Sequence, residues 1–223
     1  MRYKKQKLVK QIAEKEELLR DKTVTIVGLG GVGSVLADMF VRSGINVRIV
    51  DRGRVESEDL QKLALFSEDD VSKFKVKQAK KILEKINPKL KIKAFHEDLS
   101  SDNMFLIDAD IVIDATNELS LSLQIDKYCA KKKIPLIFTH VAGSRGGVYL
   151  TQKTKTLSDI SDYLKEHFSQ QEGILSQTVH GTAAIAASKT FKVLLGEKVA
   201  KSVLFFDIWD YSIDTEIAKK NKK

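Results

Sequence analysis

Short apolar runs alternate along the chain with longer stretches in which apolar positions recur every three or four residues, a pattern that predicts strands joined by helices. The first run, Thr23-Val24-Thr25-Ile26-Val27, is followed by a glycine cluster and a helical pattern from about Ser34; INVRIVD at 45–51 predicts the second strand. A lysine-rich amphipathic helix over 71–86 stops at Asn87-Pro88, as the proline requires. KIKAFHEDL at 91–99, Ile111-Val112-Ile113 and IPLIFTHV at 134–141 predict three more strands, with a helix before the last of them to about residue 132. GGVYLTQKT then predicts a strand with a different partner, HGTAAIAASKTFKVLLG a small-residue helix closed by Gly196, and SVLFFDIWDYSI a final strand. The expected fold is α/β: a Rossmann-like, mostly parallel sheet with helices on both faces, an antiparallel C-terminal extension and an N-terminal helix.

That helix is expected in the arm 1–20, where Leu8, Ile12, Leu18 and Leu19 are spaced among Lys and Glu as on an amphipathic helix lying on a partner surface. Residues 155–177 are polar and irregular, which suits a mobile or crossover segment, and 216–223 form a basic tail. At 223 residues a single domain over 1–223 is the expectation. No apolar run is long enough for a membrane span, and MRYKKQKLVKQ has no secretory pattern, so a cytoplasmic protein is expected.

The formal charge of +8 comes mostly from lysines scattered over helices and tail, which reads as a solvated surface rather than a nucleic-acid groove. The single cysteine, Cys129, excludes an intramolecular disulfide and a four-cysteine zinc site within the chain; it reads as a buried structural thiol. His140 and His180 read as packing or capping residues, His96 and His167 as solvated. Arg145, flanked by glycines, suits a phosphate or carboxylate contact as well as a structural one.

Candidate chemistry centres on VGLGGVGSVLADMF at 27–40. Gly28, Gly30, Gly31 and Gly33 let backbone approach a pyrophosphate, which then faces the N–H groups and positive dipole end of the following helix. Asp51, at the end of the second strand, stands where a carboxylate accepts hydrogen bonds from ribose. Oxidoreductases, methyltransferases and nucleotidyl-transferring enzymes all use versions of this turn, so the glycines alone leave the nucleotide open. No acid–base histidine or tyrosine for hydride transfer is apparent in the segment that follows.

The chain resembles the ThiF/MoeB/HesA family, small relatives of the ubiquitin-activating enzymes. The resemblance rests on RYKKQ at 2–6, VGLGGVGS, Val50-Asp51, EDLQKLALF, VSKFK, INP, DIVIDATN and VHGTAAIAASKTFKVLLG, in family order over nearly the whole chain. It implies an ATP- and Mg²⁺-dependent adenylyltransferase that joins AMP to the C-terminal carboxylate of a ubiquitin-like small protein, working as a homodimer. The four glycines would line the phosphates, Asp51 would hold the ribose, and Lys75 matches the lysine on the triphosphate. Lys62 falls at an arginine that a partner subunit donates.

Several positions depart from the family. Asp59 replaces an asparagine, Lys62 an arginine and Leu63 a glutamine; Asn117 stands at the Mg²⁺-binding aspartate, with Asp114 and Glu118 nearby as possible contributors. No zinc is expected, and no thioester cysteine follows the core. Two alternatives stay open: a weak or inactive nucleotide-binding member that scaffolds a partner, and adenylation of a small-molecule or tRNA-linked carboxylate, which the basic surface would suit.

Overall fold

The computed structural model describes residues 2–13, 15–151, 156–160, 164, 173–199 and 202–217. Eight strands form one sheet in the order β3-β2-β1-β4-β5-β6-β7-β8. The parallel half comprises β1 (Thr23–Val27), β2 (Asn46–Val50), β3 (Ile92–Phe95), β4 (Ile111–Asp114) and β5 (Leu136–Ala142). β4 is enclosed on both faces and accordingly reads as a nearly unbroken apolar run, and β1 buries four of its five residues, Thr25 among them. The antiparallel extension is β6 (Arg145–Thr151), β7 (Ser202–Asp207) and β8 (Ser212–Ile217).

Helices cover both faces. On one side, α2 (Gly31–Arg42), α3 (Lys75–Ile86) and α5 (Ser176–Leu194) bury Leu36, Phe40, Val76, Leu83, Val179 and Ala183 against the sheet. On the other, α4 (Leu119–Lys132) and the 3₁₀ turns Met104–Ile107 and Leu157–Ile160 bury Ile125, Met104, Ile107, Leu157 and Ile160. Each fully buried Leu, Ile or Phe contributes about 1.5–3 kcal/mol, so these two cores set the sheet and thereby the loops at its C-terminal edge. Cys129 lies in the second core, where burial first and then Asp126, Asp114 and Asp108 push its thiol up to about 12. None of the helices is long and apolar enough to cross a membrane among the described residues.

Three expectations change. The N-terminal arm is not one helix: α1 spans only Lys4–Lys7, and a 3₁₀ turn covers Glu16–Leu19. Lys4, Lys5 and Lys7 crowd like charges into a helix that no side chain caps. The arm docks on its own chain, with Asn87 Nδ2 donating to Tyr3 Oη (2.7 Å) and Arg2 donating to the Ile86 carbonyl, while Leu8 stays exposed. The helix read at 71–86 begins at Lys75, because Ser72 sits at φ 68° and Phe74 bridges Arg54 in extended backbone. The final strand is a hairpin: Asp207 Oδ1 accepts from the Trp209 N–H (2.9 Å) and starts a turn that ends at Tyr211, φ 53°. His167 and the tail 218–223 lie outside the described residues, as do most of 155–177.

Candidate functional site

The strand order reverses between β1 and β4, and an open parallel sheet leaves its crevice at the C-terminal ends of those strands. A cleft of about 310 Å³ opens there, lined among others by Gly28, Gly30, Asp51, Lys75, Thr116 and Glu118.

The glycine turn divides its labour. Gly28, at φ +86°, is held by its N–H on the Val50 carbonyl (2.9 Å), and a Cβ on it would lie 2.7 Å from the Ala115 carbonyl oxygen. A Cβ on Gly33 would lie 1.9 Å from the Gly28 carbonyl oxygen, so Gly33 is there to let α2 start hard against the turn. One on Gly31 would press on Val179 of α5 at 3.0 Å. Only Gly30 faces open space. It is the N-cap of α2 and no side chain caps that helix, which leaves the first N–H groups and the positive dipole end for an anion. Gly28 and Gly30 line the cleft, Gly28 held in place by its neighbours, whereas Gly31 and Gly33 serve packing.

Asp51 lines the cleft and also ties it together. Its Oδ2 accepts from the Leu29 N–H at 2.6 Å and its Oδ1 from the Gly53 N–H at 2.5 Å. Each oxygen keeps a second lone pair for a ribose hydroxyl.

Lys75 is the first residue of α3, with its side chain 12% exposed. Its Nζ lies 3.5 Å from Asp59 Oδ2, and Lys62 Nζ lies 2.5 Å from Asp59 Oδ1. Partial burial pushes the Asp59 carboxyl up, but the Lys62 hydrogen bond and the charges of both lysines outweigh it and hold it below its usual value. Lys62 belongs to the 3₁₀ turn Ser57–Lys62, whose last carbonyl packs at the start of α2. Within its own chain, Lys62 reaches Asp59.

The expected metal ligands are engaged in the fold. Asp114 is fully buried; burial is the main influence on its carboxyl and pushes it up, while Oδ1 accepts from the Thr116 N–H (3.0 Å) and hydroxyl (2.7 Å). Asn117, at φ 57°, donates from Nδ2 to the Val141 carbonyl and accepts at Oδ1 from the Val141 N–H, both at 3.3 Å. It pins the β4–α4 turn to β5. Asp114 Oδ2 is buried without a hydrogen-bond partner, so Asp114 is engaged through one oxygen and Asn117 through both amide atoms; among the described residues no group of three His, Cys, Asp or Glu is placed to hold a metal.

His140 and Arg145 do not line the cleft. Burial, then the Arg145 charge, pulls the His140 imidazole down to about 4 and keeps it neutral. His96 packs on Phe74, and His180 contacts the Ser176 carbonyl within its own helix. The sequence pattern did not mark Thr116, Gly53 or the Arg52–Asp98 ion pair (2.6 Å), which belong to the same rim. The glycine two residues beyond Asp51 was the available signal for that loop.

The ThiF family profile matches residues 3–223. The chain belongs to the ThiF family. It is 30% identical to the sulfur carrier protein ThiS adenylyltransferase of Bacillus subtilis over 93% of this chain and 65% of that one, so it spans just under two thirds of that relative. It is 28% identical to the molybdopterin-synthase adenylyltransferase of Haemophilus influenzae, over 96% of this chain and 92% of the relative. Among solved structures, Escherichia coli MccB superposes with a TM-score of 0.79 at 21% identity, over 92% of this chain and 66% of MccB. At that identity the likeness carries the fold of this ThiF-family chain and nothing more.

Proposed function

We propose that this ThiF-family chain is an ATP-dependent adenylyltransferase that activates the C-terminal carboxylate of a ubiquitin-like sulfur-carrier protein of the MoaD/ThiS type, for sulfur transfer or conjugation. The observation that carries the reading is Lys75 beside an uncapped, glycine-entered helix at the β1–β4 crevice, with Asp51 at the ribose position. The two adenylyltransferase relatives support it. In the reaction a carboxylate oxygen of the carrier attacks the α-phosphorus, the bond to the β-phosphate bridging oxygen breaks, and pyrophosphate leaves. Negative charge crowds together along that line. Lys75 and the free N–H groups of α2 are placed to neutralise and orient it, which is where an enzyme of this kind gains most. No step is assigned to magnesium; Glu97 and Glu118, both exposed on the cleft, are carboxylates that could meet a cation arriving on the phosphates.

A small carrier protein ending in Gly-Gly should support ATP–pyrophosphate exchange, and a folded preparation that exchanges nothing with any such carrier would defeat the reading. A homodimer is part of the proposal, supported by an apolar groove of about 650 Å³ lined by Val9, Ile12, Met39, Phe191 and Leu195; sedimentation at two concentrations tests it.

The second reading, a nucleotide-holding scaffold without chemistry, draws on Asn117. The amide's bonds to Val141 give Asn117 a structural task, so Asn117→Asp is expected to lower stability by about 1–2 kcal/mol in a denaturant titration, because a carboxylate cannot donate to the Val141 carbonyl. Exchange should not improve. A large gain in exchange by this variant would favour the scaffold.

A further inference from the structure

Lys75 brings its ammonium to the cleft, yet that ammonium already has an anion: among the described residues its ion-pair partner is Asp59. The two arms of the trio are unequal. Lys62 grips Oδ1 at 2.5 Å, whereas Lys75 stands 3.5 Å from Oδ2, at the outer limit of a hydrogen bond. All three side chains are at most 22% exposed, so water competes weakly with these contacts. The loosely held lysine is the one that lines the cleft; Lys62 does not line it.

We propose that Asp59 is a counter-ion built into the phosphate site, occupying Lys75 until nucleotide binds and then surrendering it to the phosphates while Lys62 keeps Asp59 in place. The inference rests on the nucleotide reading above and adds an ion exchange to it. Two lysines alone would bring +2 to the site; with Asp59 the trio brings +1, so every phosphate group bound there works against a fixed carboxylate. Affinity for polyphosphate is thereby held down, and the same exchange run backwards assists release: when pyrophosphate leaves, Lys75 returns to Asp59 and is not left uncompensated. Lys62 is the positioning residue. Without it, Asp59 is free to close on Lys75.

Direct calorimetric titrations with ATP, inorganic pyrophosphate and adenosine separate the contributions, with thermal melts confirming that each variant is folded. Asp59→Asn, nearly isosteric, should bind ATP and pyrophosphate about tenfold more tightly, with adenosine unchanged. Lys62→Met should move both phosphate ligands about tenfold the other way. Unchanged or weaker pyrophosphate binding by Asp59→Asn overturns the proposal, as does an equal shift for adenosine, which would report a general change in the cleft. If pyrophosphate follows the two substitutions while ATP binds to none of the proteins, the counter-ion stands and the nucleotide reading falls.

Discussion

Lys75→Ala is expected to lower ATP–pyrophosphate exchange about 10²–10³-fold, the loss typical of removing one group that stabilises developing charge in a dry site. The side chain is only 12% exposed, so its ammonium acts with little screening by water. The fold should survive the change. Asp59 keeps Lys62 at 2.5 Å, so no buried charge is left without a partner, and alanine favours the start of α3 at least as well as lysine. Exchange assays at saturating carrier protein, run beside a thermal melt, check both halves. Exchange within threefold of the parent would remove Lys75 from the chemistry and with it the main support for adenylation.

The contrast between Lys75 and Asn117 shows how far sequence carries a site. Lys75 lines the cleft because it starts α3 beside the Gly53 loop, four residues later than the helix read from 71, and a side chain at a helix start has few directions to take. The family resemblance puts Asn117 at the Mg²⁺-binding aspartate, which fixes its position along the chain but not the partner of its amide. That partner, Val141, lies on the next strand and is brought there only by the β4–β5 pairing.

The same division runs through the fold. β4 was legible because a strand buried on both faces is close to apolar throughout, and β1 and β2 because Val and Ile dominate around Thr25 and Arg48. The β7–β8 hairpin was not, since Ile208-Trp209-Asp210-Tyr211 holds no Gly, Pro or Asn to mark a turn, and Asp207 supplies the turn with its side chain instead. The N-terminal arm shows the periodicity of a helix, but its docking through Tyr3 and Arg2 is a long-range matter that no window of sequence contains.

Gly33→Ala and Gly30→Ala should separate two roles that the cluster VGLGGVGS presents as one. At Gly33 the added methyl would lie 1.9 Å from the Gly28 carbonyl oxygen, and neither atom can yield, since both are fixed to backbone inside the strand–turn–helix unit. Either α2 or the turn must shift. The expected cost is about 3 kcal/mol or more, at the upper end for overpacking, seen as a lower denaturation midpoint, with nucleotide binding lost because the N–H groups of α2 move. At Gly30 the methyl meets nothing within 4 Å, and the backbone is extended, at φ −77° and ψ −151°. Stability should fall by no more than about 1 kcal/mol, the cost of placing alanine at an N-cap where glycine sits and no packing is disturbed. ATP affinity should nonetheless fall about tenfold or more, because the methyl occupies space on the cleft wall that a phosphate oxygen needs. A Gly30→Ala protein that melts with Gly33→Ala, or that binds ATP as well as the parent, would show that the phosphates do not approach α2 at its first turn.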